Sequence, residues 1–162
     1  MKKLFMLVCA AVISISASAQ QGEKAIGVNL SYGSEINNIG LGVKGQYSFT
    51  NEIRGEASFD YFPKKDGVSM WDINANLHYL FNAADKIKVY PLAGLGYTNW
   101  DVKADLGEFG SVKTSTSKLA VNLGGGVEYA LSDKMSINTE LKYQIIDNYN
   151  QLVVGVGFAC KF

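Results

Sequence analysis

The clearest pattern in this chain is LAVNLGGGVEYAL, residues 119–131, in which apolar or glycine residues alternate with small and polar ones. A repeat of two residues places successive side chains on opposite faces of a β-strand, so the segment predicts a strand with one apolar face and one polar face. Its one charged residue, Glu128, falls in the polar register. The strand should therefore lie between an apolar medium and a polar space.

The same alternation recurs eight times between Lys24 and Phe162, and no charged residue falls in its apolar register. Each repeat has about the 9 to 11 residues with which a tilted strand crosses the hydrocarbon of a membrane. The sequence thus predicts an all-β chain of eight strands. These strands cover residues 26–32, 39–49, 53–61, 71–81, 89–97, 119–131, 135–145 and 152–162.

The polar register carries the ionisable residues, and this separates two kinds of barrel. A water-soluble barrel of the lipocalin or streptavidin type fills its interior with apolar groups and faces water outside. That arrangement would bury ten ionisable side chains here and expose leucine, valine and phenylalanine to water. The pattern therefore favours a barrel that is apolar outside and polar inside. The ten residues are Lys44, Arg54, Glu56, Asp60, Asp72, His78, Glu128, Glu140, Lys142 and Lys161.

The connections between the predicted strands alternate in length. Short ones at residues 50–52, 82–86 and 132–134 alternate with longer ones at 33–38, 62–69, 99–117 and 146–151. Outer-membrane barrels have short periplasmic turns and longer external loops. We therefore predict an eight-stranded antiparallel up-and-down transmembrane β-barrel with a polar, side-chain-filled interior. Both termini are expected in the periplasm.

Residues 1–19 are predicted to be a signal peptide that is removed. Lys2 and Lys3 precede an apolar run that is shorter than the roughly 20 residues of a membrane-spanning helix. Ala17 and Ala19 form a small-x-small cleavage site. Residues 20–162 then form one barrel domain. Removal of Lys2 and Lys3 with the signal peptide would leave 13 basic and 15 acidic residues, so no nucleic-acid partner is predicted.

Eight strands leave an interior that is only just wide enough for side chains. Counting away from the short turns places Gln46 opposite Glu56 and Gly126 opposite Glu140. Because an unpaired buried charge is strongly destabilising, we expect the charged side chains to pair and to obstruct ion flow. The predicted lumen charge network comprises Lys44, Arg54, Glu56, Glu128, Glu140 and Lys142.

No residues have the spacing of a catalytic, metal or cofactor site. His78 is the one histidine, and its place in the polar register favours a hydrogen-bonded lumen residue over a general base. Together with Cys160 on the apolar face and scattered carboxylates, it does not form a metal-ligand pattern. We therefore predict no enzymatic activity and no cofactor. Pro91, which lacks an amide hydrogen, predicts a local bulge in the fifth strand.

These features together resemble the OmpA/OmpX-like family of small outer-membrane β-barrels. The resemblance covers residues 20–162 and rests on the alternating strands, the stretch YPLAGLGY at residues 90–97 and the apolar, aromatic ending. It implies that Phe158 and Phe162 belong to a C-terminal signal read by the barrel-assembly machinery. It also implies a monomer in the cell envelope of a Gram-negative bacterium, surrounded by outer-membrane lipid and lipopolysaccharide.

Members of that family act as structural anchors, adhesins, resistance factors or narrow pores, so the resemblance leaves the function open. We predict a non-enzymatic barrel with an envelope-structural or surface-interaction role. One alternative is a narrow, low-conductance, porin-like pore. A less favoured alternative is a lipid-modifying enzyme centred on His78.

The longest connection, residues 99–117, is the most distinctive segment. The alternation reverses beyond Tyr97, which predicts that the fifth and sixth strands continue above the membrane as a hairpin turning near Gly107 to Gly110. The edge of this hairpin could add a strand from an extracellular partner, which the sequence does not identify. The candidate surface-contact residues are Trp100, Val102, Phe109, Thr114 and Thr116.

Overall fold

The computed structural model of this chain describes the backbone of residues 22–105 and 111–162 and the side chains of residues 22–102 and 114–162. The predicted signal peptide lies outside the described residues, as do Phe109 and the predicted turn Gly107 to Gly110. The domain limits of 1–19 and 20–162 therefore stay predictions. Within the described residues, no helix is long and apolar enough to cross a membrane.

The described chain is an antiparallel meander of strands that closes on itself. The strands are β1 Lys24–Gly33, β2 Asn38–Ser48, β3 Ile53–Lys65, β4 Val68–Tyr79, β5 Phe81–Ala84, β6 Ile87–Asp105, β7 Ser111–Ala130, β8 Met135–Ile146 and β9 Gln151–Lys161. Strands β4 and β5 both pair with β6 and form a single segment of the wall, while β1 pairs with β9. The result is the predicted closed barrel of eight antiparallel strands.

The gap in pairing between β4 and β5 lies opposite Tyr90 and Pro91 of β6, and the pairing on both sides of the gap keeps the same register. Pro91 has no amide hydrogen to donate across this pair. The amide of Leu80 points the other way and donates to the carbonyl of Glu52 at 2.6 Å. The predicted bulge at Pro91 is therefore wrong, because a missing donor interrupts the ladder without adding a residue. The register shift lies nearer the turn, between Asn82 and Ala84.

Two hairpins extend the sheet beyond the predicted strands. Strands β3 and β4 continue to a two-residue turn, Asp66 and Gly67, whose φ angles are both positive, 50° and 87°. Such angles belong to a tight turn that matches the twist of a hairpin, and glycine adopts them without steric cost. The predicted long connection at residues 62–69 is therefore wrong. The β6–β7 hairpin agrees with the prediction and stays paired out to Asp105 and Ser111.

Side chains on the strands alternate between the outside and the inside of the barrel. Leu41, Val121 and Val156 lie on the outside, where 62%, 43% and 47% of their surface is exposed, whereas the inward Lys44 is 4% exposed. A surface this rich in exposed leucine, valine and aromatic residues is stable against hydrocarbon and not against water. The predicted polarity, apolar outside and polar inside, is confirmed.

Candidate functional site

We refer to the end of the barrel that carries the β6–β7 hairpin as the mouth and to the opposite end, near Gly22 and Phe162, as the base. At the mouth, four buried apolar side chains pack together at the end of the lumen, and we term this set the mouth cap. The alternation of residue types does not by itself predict this layer, although apolar residues in the polar register near the ends of β3 and β4 signal it. The mouth cap consists of Ile36, Phe62, Met70 and Trp100.

Trp100 lies in the mouth cap and not on the outer surface of the hairpin. A residue that contacts a partner directly would have to lie on that outer surface. Its side chain is 6% exposed, and its ring stacks on Tyr149 of the β8–β9 connection with 5.5 Å between ring centroids. The inward register of β6 continues above the barrel wall and so places the indole over the mouth, beneath Tyr149. Trp100 therefore packs inside the mouth of the barrel.

Below the mouth cap, five buried amide side chains hydrogen-bond to one another across the lumen. Gln151 Nε2 donates to Gln144 Oε1 at 2.7 Å, and Gln144 Nε2 donates to Asn74 Oδ1 at 3.1 Å. Asn122 Nδ2 donates to Asn74 and to Asn76, both at 2.9 Å. Mutual hydrogen bonds of this kind satisfy polar groups that water cannot reach. We term these five residues the amide layer.

Two aspartates lie opposite each other beside the amide layer. Asp60 of β3 faces Asp72 of β4 in the register, and both are buried. Asp60 accepts hydrogen bonds from Ser31 and Ser58, each at 3.3 Å, and Asp72 accepts one from Asn74 at 2.8 Å. No lysine or arginine side chain that the structure describes forms an ion pair with either aspartate. Hydrogen bonds therefore hold these two carboxylates in place.

Toward the base lies a layer of ion pairs, which we term the charge layer: Lys44, Arg54, Glu56, Glu128 and Glu140. Lys44 Nζ lies 3.4 Å from Glu56 Oε2 and 3.3 Å from Glu140 Oε1. Arg54 Nη1 lies 2.5 Å from Glu128 Oε2. The structure thus brings five of the six residues of the predicted lumen network into direct contact.

Lys142, the sixth residue of the predicted network, is buried but forms no ion pair with a carboxylate in the described part of the chain. It faces Gly124 in the register and lines, with Lys44 and Asp60, a lumen cavity of about 20 Å³. A cavity of that volume holds about one water molecule. Lys142 therefore lies beside the charge layer without joining it.

Tyr90 of β6, which is not among the lumen residues predicted from the sequence, links the two halves of the charge layer. Its hydroxyl donates to Glu140 Oε1 at 2.7 Å, and the guanidinium of Arg54 lies over its ring, 5.0 Å from the centroid. Asn138 Nδ2 donates to the same Glu140 oxygen at 2.8 Å. The sequence signal for this role is an aromatic residue in the polar register of a strand.

Two glycines leave the space that these long side chains occupy. A Cβ atom at Gly126 would lie 2.6 Å from the ring of Tyr90, and one at Gly157 would lie 3.0 Å from the side chain of Lys44. Gly126 also faces Glu140 in the register, as predicted from the length of the turn. Small and long inward side chains therefore complement each other across the lumen.

Glu56, His78 and Glu140 place three potential metal-ligand atoms within 4.8 Å of one another. Arg54 Nε donates to His78 Nδ1 at 3.3 Å, so a neutral His78 carries its proton on Nε2, the atom that faces Glu56 at 3.8 Å. A metal-bound histidine would instead donate from its second ring nitrogen. The ammonium group of Lys44 already bridges both carboxylates. This arrangement therefore fits an ion-pair network and not a metal site.

His78 is also poorly placed to act as a general base. Its side chain is fully buried, and its ring stacks on Tyr90 with 4.7 Å between centroids. A general base has to reach the proton of a substrate, and the barrel wall separates this imidazole from the lipid outside. The geometry favours a structural role for His78.

Strand β7 extends beyond its neighbour β8 and leaves one edge unpaired. Pairing between β7 and β8 starts at Ala120, whereas pairing between β7 and β6 continues to Ser111. Residues 111–119 of β7 therefore have a strand on one side only, and we term them the β7 edge. Near it, Val102 and Thr114 are exposed and Thr116 is half-buried.

The direction of the amides on the β7 edge follows from the ladder below it. Ala130 donates its amide to Lys86, on the β6 side, at 2.8 Å, and Leu131 donates to Met135, on the β8 side, at 2.9 Å. Successive amides of a strand point in opposite directions, and the register is unbroken from Ala130 upward. The amides of Ser115 and of the other odd-numbered residues therefore point away from β6, to the free edge.

Strand β9 closes the barrel and carries the predicted assembly residues. Phe158 faces Val28 of β1 and Ile137 of β8. The backbone of Phe162 exchanges hydrogen bonds of 2.8 and 3.4 Å with that of Lys24. Both phenylalanine side chains are partly exposed. Their role as a signal for the assembly machinery stays a prediction.

A closed antiparallel barrel with an apolar outer wall and a hydrogen-bonded polar lumen defines the class of transmembrane β-barrels. A family model described as the outer membrane protein beta-barrel domain matches residues 5–162. The chain belongs to this family of outer-membrane proteins of Gram-negative bacteria.

Several individual proteins are similar to this chain. Outer membrane protein X of Escherichia coli is 26% identical over 140 residues, which is 85% of this chain and 76% of that protein. The crystal structure of the N-terminal β-barrel domain of Pseudomonas aeruginosa OprF superposes with a TM-score of 0.73 at 16% identity, over 89% of this chain and 100% of that one. Ail, the attachment invasion locus protein of Yersinia pestis, gives a TM-score of 0.63 at 19% identity, over 88% and 99% of the two chains.

The same fold also occurs in a catalyst. The outer membrane enzyme PagL superposes with a TM-score of 0.56 at 11% identity. At such identities the structural likeness shows the fold alone, so the function has to be argued from the residues of this chain.

Proposed function

We propose that this protein is a non-enzymatic outer-membrane barrel that presents its β6–β7 hairpin to a partner outside the cell while its lumen is closed. The observation that supports it is the β7 edge, a stretch of nine residues that projects beyond β8 and whose odd-numbered residues point their backbone amides to the free side. Such an edge is a template for an extended segment of another chain. The proposal includes removal of residues 1–19, termini in the periplasm and assembly through the C-terminal signal.

The lumen supports a closed barrel rather than a pore. The mouth cap, the amide layer and the charge layer follow one another from mouth to base, and their side chains are buried almost throughout. The cavity between Lys44 and Lys142 has a volume of about 20 Å³, which has room for about one water molecule and none for a hydrated ion. An ion would have to displace a hydrogen-bonded layer in order to pass.

Conductance separates the closed barrel from the narrow pore. Refolded protein inserted in planar bilayers should give no large, stable single-channel currents, because each lumen layer is hydrogen-bonded or tightly packed. Stable unitary currents in the wild-type protein would establish the pore instead. A variant with both Phe62→Ala and Trp100→Ala opens the mouth only, and it should remain silent because the amide and charge layers persist.

Strand addition is tested with two neighbouring proline substitutions on β7. Ser115→Pro removes an amide that points to the free edge, whereas Thr116→Pro removes one that belongs to the ladder with β6. Phage-displayed peptides selected on wild-type protein in nanodiscs should lose binding to Ser115→Pro and keep binding to Ser115→Ala. Thr116→Pro is the control, because it breaks the β6–β7 ladder and shows how damage to the hairpin itself affects binding. Peptides that bind Ser115→Pro as well as wild type would contradict an interaction through the β7 edge.

The enzymatic alternative is tested by lipid analysis. Cells that express the protein should have an unchanged lipid A and phospholipid profile, because His78 is enclosed in the lumen. A modified lipid that disappears in His78→Gln would support the enzyme instead.

A further inference from the structure

Four aromatic side chains form a continuous patch on the outside of the barrel near the mouth, and we term this patch the aromatic platform. Its members are Phe59, Tyr61, Trp71 and Tyr97. Tyr61 faces Trp71 in the register. The ring centroids of Phe59 and Trp71 lie 6.2 Å apart, and those of Trp71 and Tyr97 lie 5.8 Å apart. The rings thus make one surface across β3, β4 and β6.

The aromatic platform differs from an even belt around the barrel. Tyr143, near the mouth end of β8, faces Leu123 and Leu152, and Tyr32 on β1 likewise has aliphatic cross-strand neighbours. Aromatic girdles hold a barrel at the two membrane interfaces and are expected all round it. The concentration of rings on three adjacent strands therefore has a local cause.

Directly above the aromatic platform, the outer face of the sheet becomes polar. Trp71 faces Asn99 in the register, and Asn99 faces Ser117. Asn99 Nδ2 donates to Ser117 Oγ at 2.7 Å and to Ser115 Oγ at 3.2 Å. We term Asn99, Ser115 and Ser117 the polar row. It lies on β6 and on the part of β7 that projects beyond β8, on the same side of the barrel as the aromatic platform.

The two surfaces together have the chemistry of a glycolipid site. An aromatic ring offers a flat apolar face to the carbon-bound hydrogens of a sugar, and amides and hydroxyls bind sugar hydroxyls as donors and acceptors. Below the platform, Ile73 and Leu95 expose aliphatic side chains to the membrane, where acyl chains lie. Asp101 faces Ser69 and Ser115 in the next row up, and its carboxylate disfavours a phosphate at that level.

We propose that the aromatic platform and the polar row bind the sugar headgroup of an outer-leaflet glycolipid, whose acyl chains pack on the wall below. The occupant is a lipid because the platform is continuous with the wall that contacts hydrocarbon. The sugar rests against the outer face of the projecting hairpin. This site depends on outward side chains and not on the backbone amides of the β7 edge. The glycolipid proposal can therefore be tested independently of the proposal of strand addition.

The indole of Trp71 is a built-in reporter for this site. The chain contains two tryptophans, so Trp100→Phe leaves Trp71 as the single indole. The variant is placed in phosphatidylethanolamine nanodiscs that contain either lipopolysaccharide with a short sugar core or an equal charge of phosphatidylglycerol. The Trp71 indole N–H resonance should shift with the glycolipid and not with the phospholipid. Equal shifts with both lipids would show an aromatic belt only and would overturn the proposal.

Three leucine substitutions test which side chains hold the glycolipid. Trp71→Leu removes the stacking ring, Asn99→Leu removes the amide, and Tyr143→Leu is the matched control on β8, outside both the aromatic platform and the polar row. Glycolipid retained after detergent extraction is counted by native mass spectrometry on protein whose folding is checked by circular dichroism. Loss of one such contact should lower retention about fivefold. The Tyr143→Leu variant should retain as much as wild type, and undiminished retention in folded Trp71→Leu and Asn99→Leu would refute the site.

Discussion

The mouth cap and the charge layer fill the same lumen by opposite chemistry. The mouth cap is a cluster of apolar side chains with no ion pair. In the charge layer, one lysine forms ion pairs with two carboxylates, and an arginine forms an ion pair with a third. Apolar packing has little directional requirement and tolerates small shifts. Buried ion pairs require matched partners, because an unmatched charge is costly. Substitutions in the two layers should therefore lower the free energy of unfolding for different physical reasons.

The largest effect is expected from removing the central cation of the charge layer. Lys44→Met leaves Glu56 and Glu140 buried without their shared partner, so the free energy of unfolding should fall by about 3–5 kcal/mol. Urea titration in lipid vesicles measures this loss. Lys44→Met combined with Glu56→Gln and Glu140→Gln should regain most of it, because the charge layer then keeps only the matched pair of Arg54 and Glu128. A loss as large in the triple variant would point to packing and not to charge.

Removing one ring from the mouth cap should cost somewhat less. Phe62 is fully buried, so Phe62→Ala should lower the free energy of unfolding by about 3 kcal/mol through lost contacts and a cavity. This loss should be the same at low and high salt, because the mouth cap contains no charged group. Leu41→Ala on the lipid face is the control and should cost less than about 1 kcal/mol. Equal costs at the two positions would mean that the mouth cap is not packed as described.

Overfilling the charge layer should have a smaller effect than emptying it. A Cβ at Gly126 meets the Tyr90 ring at 2.6 Å, so Gly126→Ala should cost about 1–3 kcal/mol of unfolding free energy. Gly45 on the outer wall has nothing within 4 Å of an added Cβ, and Gly45→Ala should be close to neutral. The same vesicle titration compares the two alanines. A neutral Gly126→Ala would show that Tyr90 can move aside.

The smallest effect is expected where an ion pair lies in solvent. Lys118 and Asp147 pair at 2.8 Å near the mouth, and the aspartate is largely exposed. Lys118→Ala should cost about 0–1 kcal/mol of unfolding free energy, and that cost should vanish in about 1 M salt. Comparison with Lys44→Met separates buried from exposed pairing within one molecule. A cost above about 2 kcal/mol would mean that this pair contributes to stability as a buried ion pair does, and would contradict the prediction.

Much of this arrangement could be predicted from the sequence because it is local. The alternation of residue types sets which side chains face the membrane, and a short turn sets the register of the two strands that it joins. Gln46 therefore lies opposite Glu56, as counted from the turn. The hairpin at Asp66 and Gly67 was missed because the residues before it cease to alternate clearly, although an Asp-Gly pair is itself a turn signal.

The lumen contacts could not be predicted in the same way, because they join strands that are not neighbours. Lys44 on β2 reaches Glu140 on β8, and Arg54 on β3 reaches Glu128 on β7. Neither a turn nor a period relates those positions. Tyr90 and the amide layer were missed for this reason, since their roles depend on what lies across the barrel.

The sequence by itself determined the number of strands, the two faces of the wall and the charged character of the interior. The period of a strand and the cost of placing charge in hydrocarbon act on each segment separately, so no knowledge of the other segments is needed. Only the closed barrel decided which cation meets which carboxylate, that Trp100 covers the mouth, and that Trp71 stands beneath a polar row. Those relations come from the curvature and stagger that bring distant strands face to face, and they exist only once β1 has paired with β9.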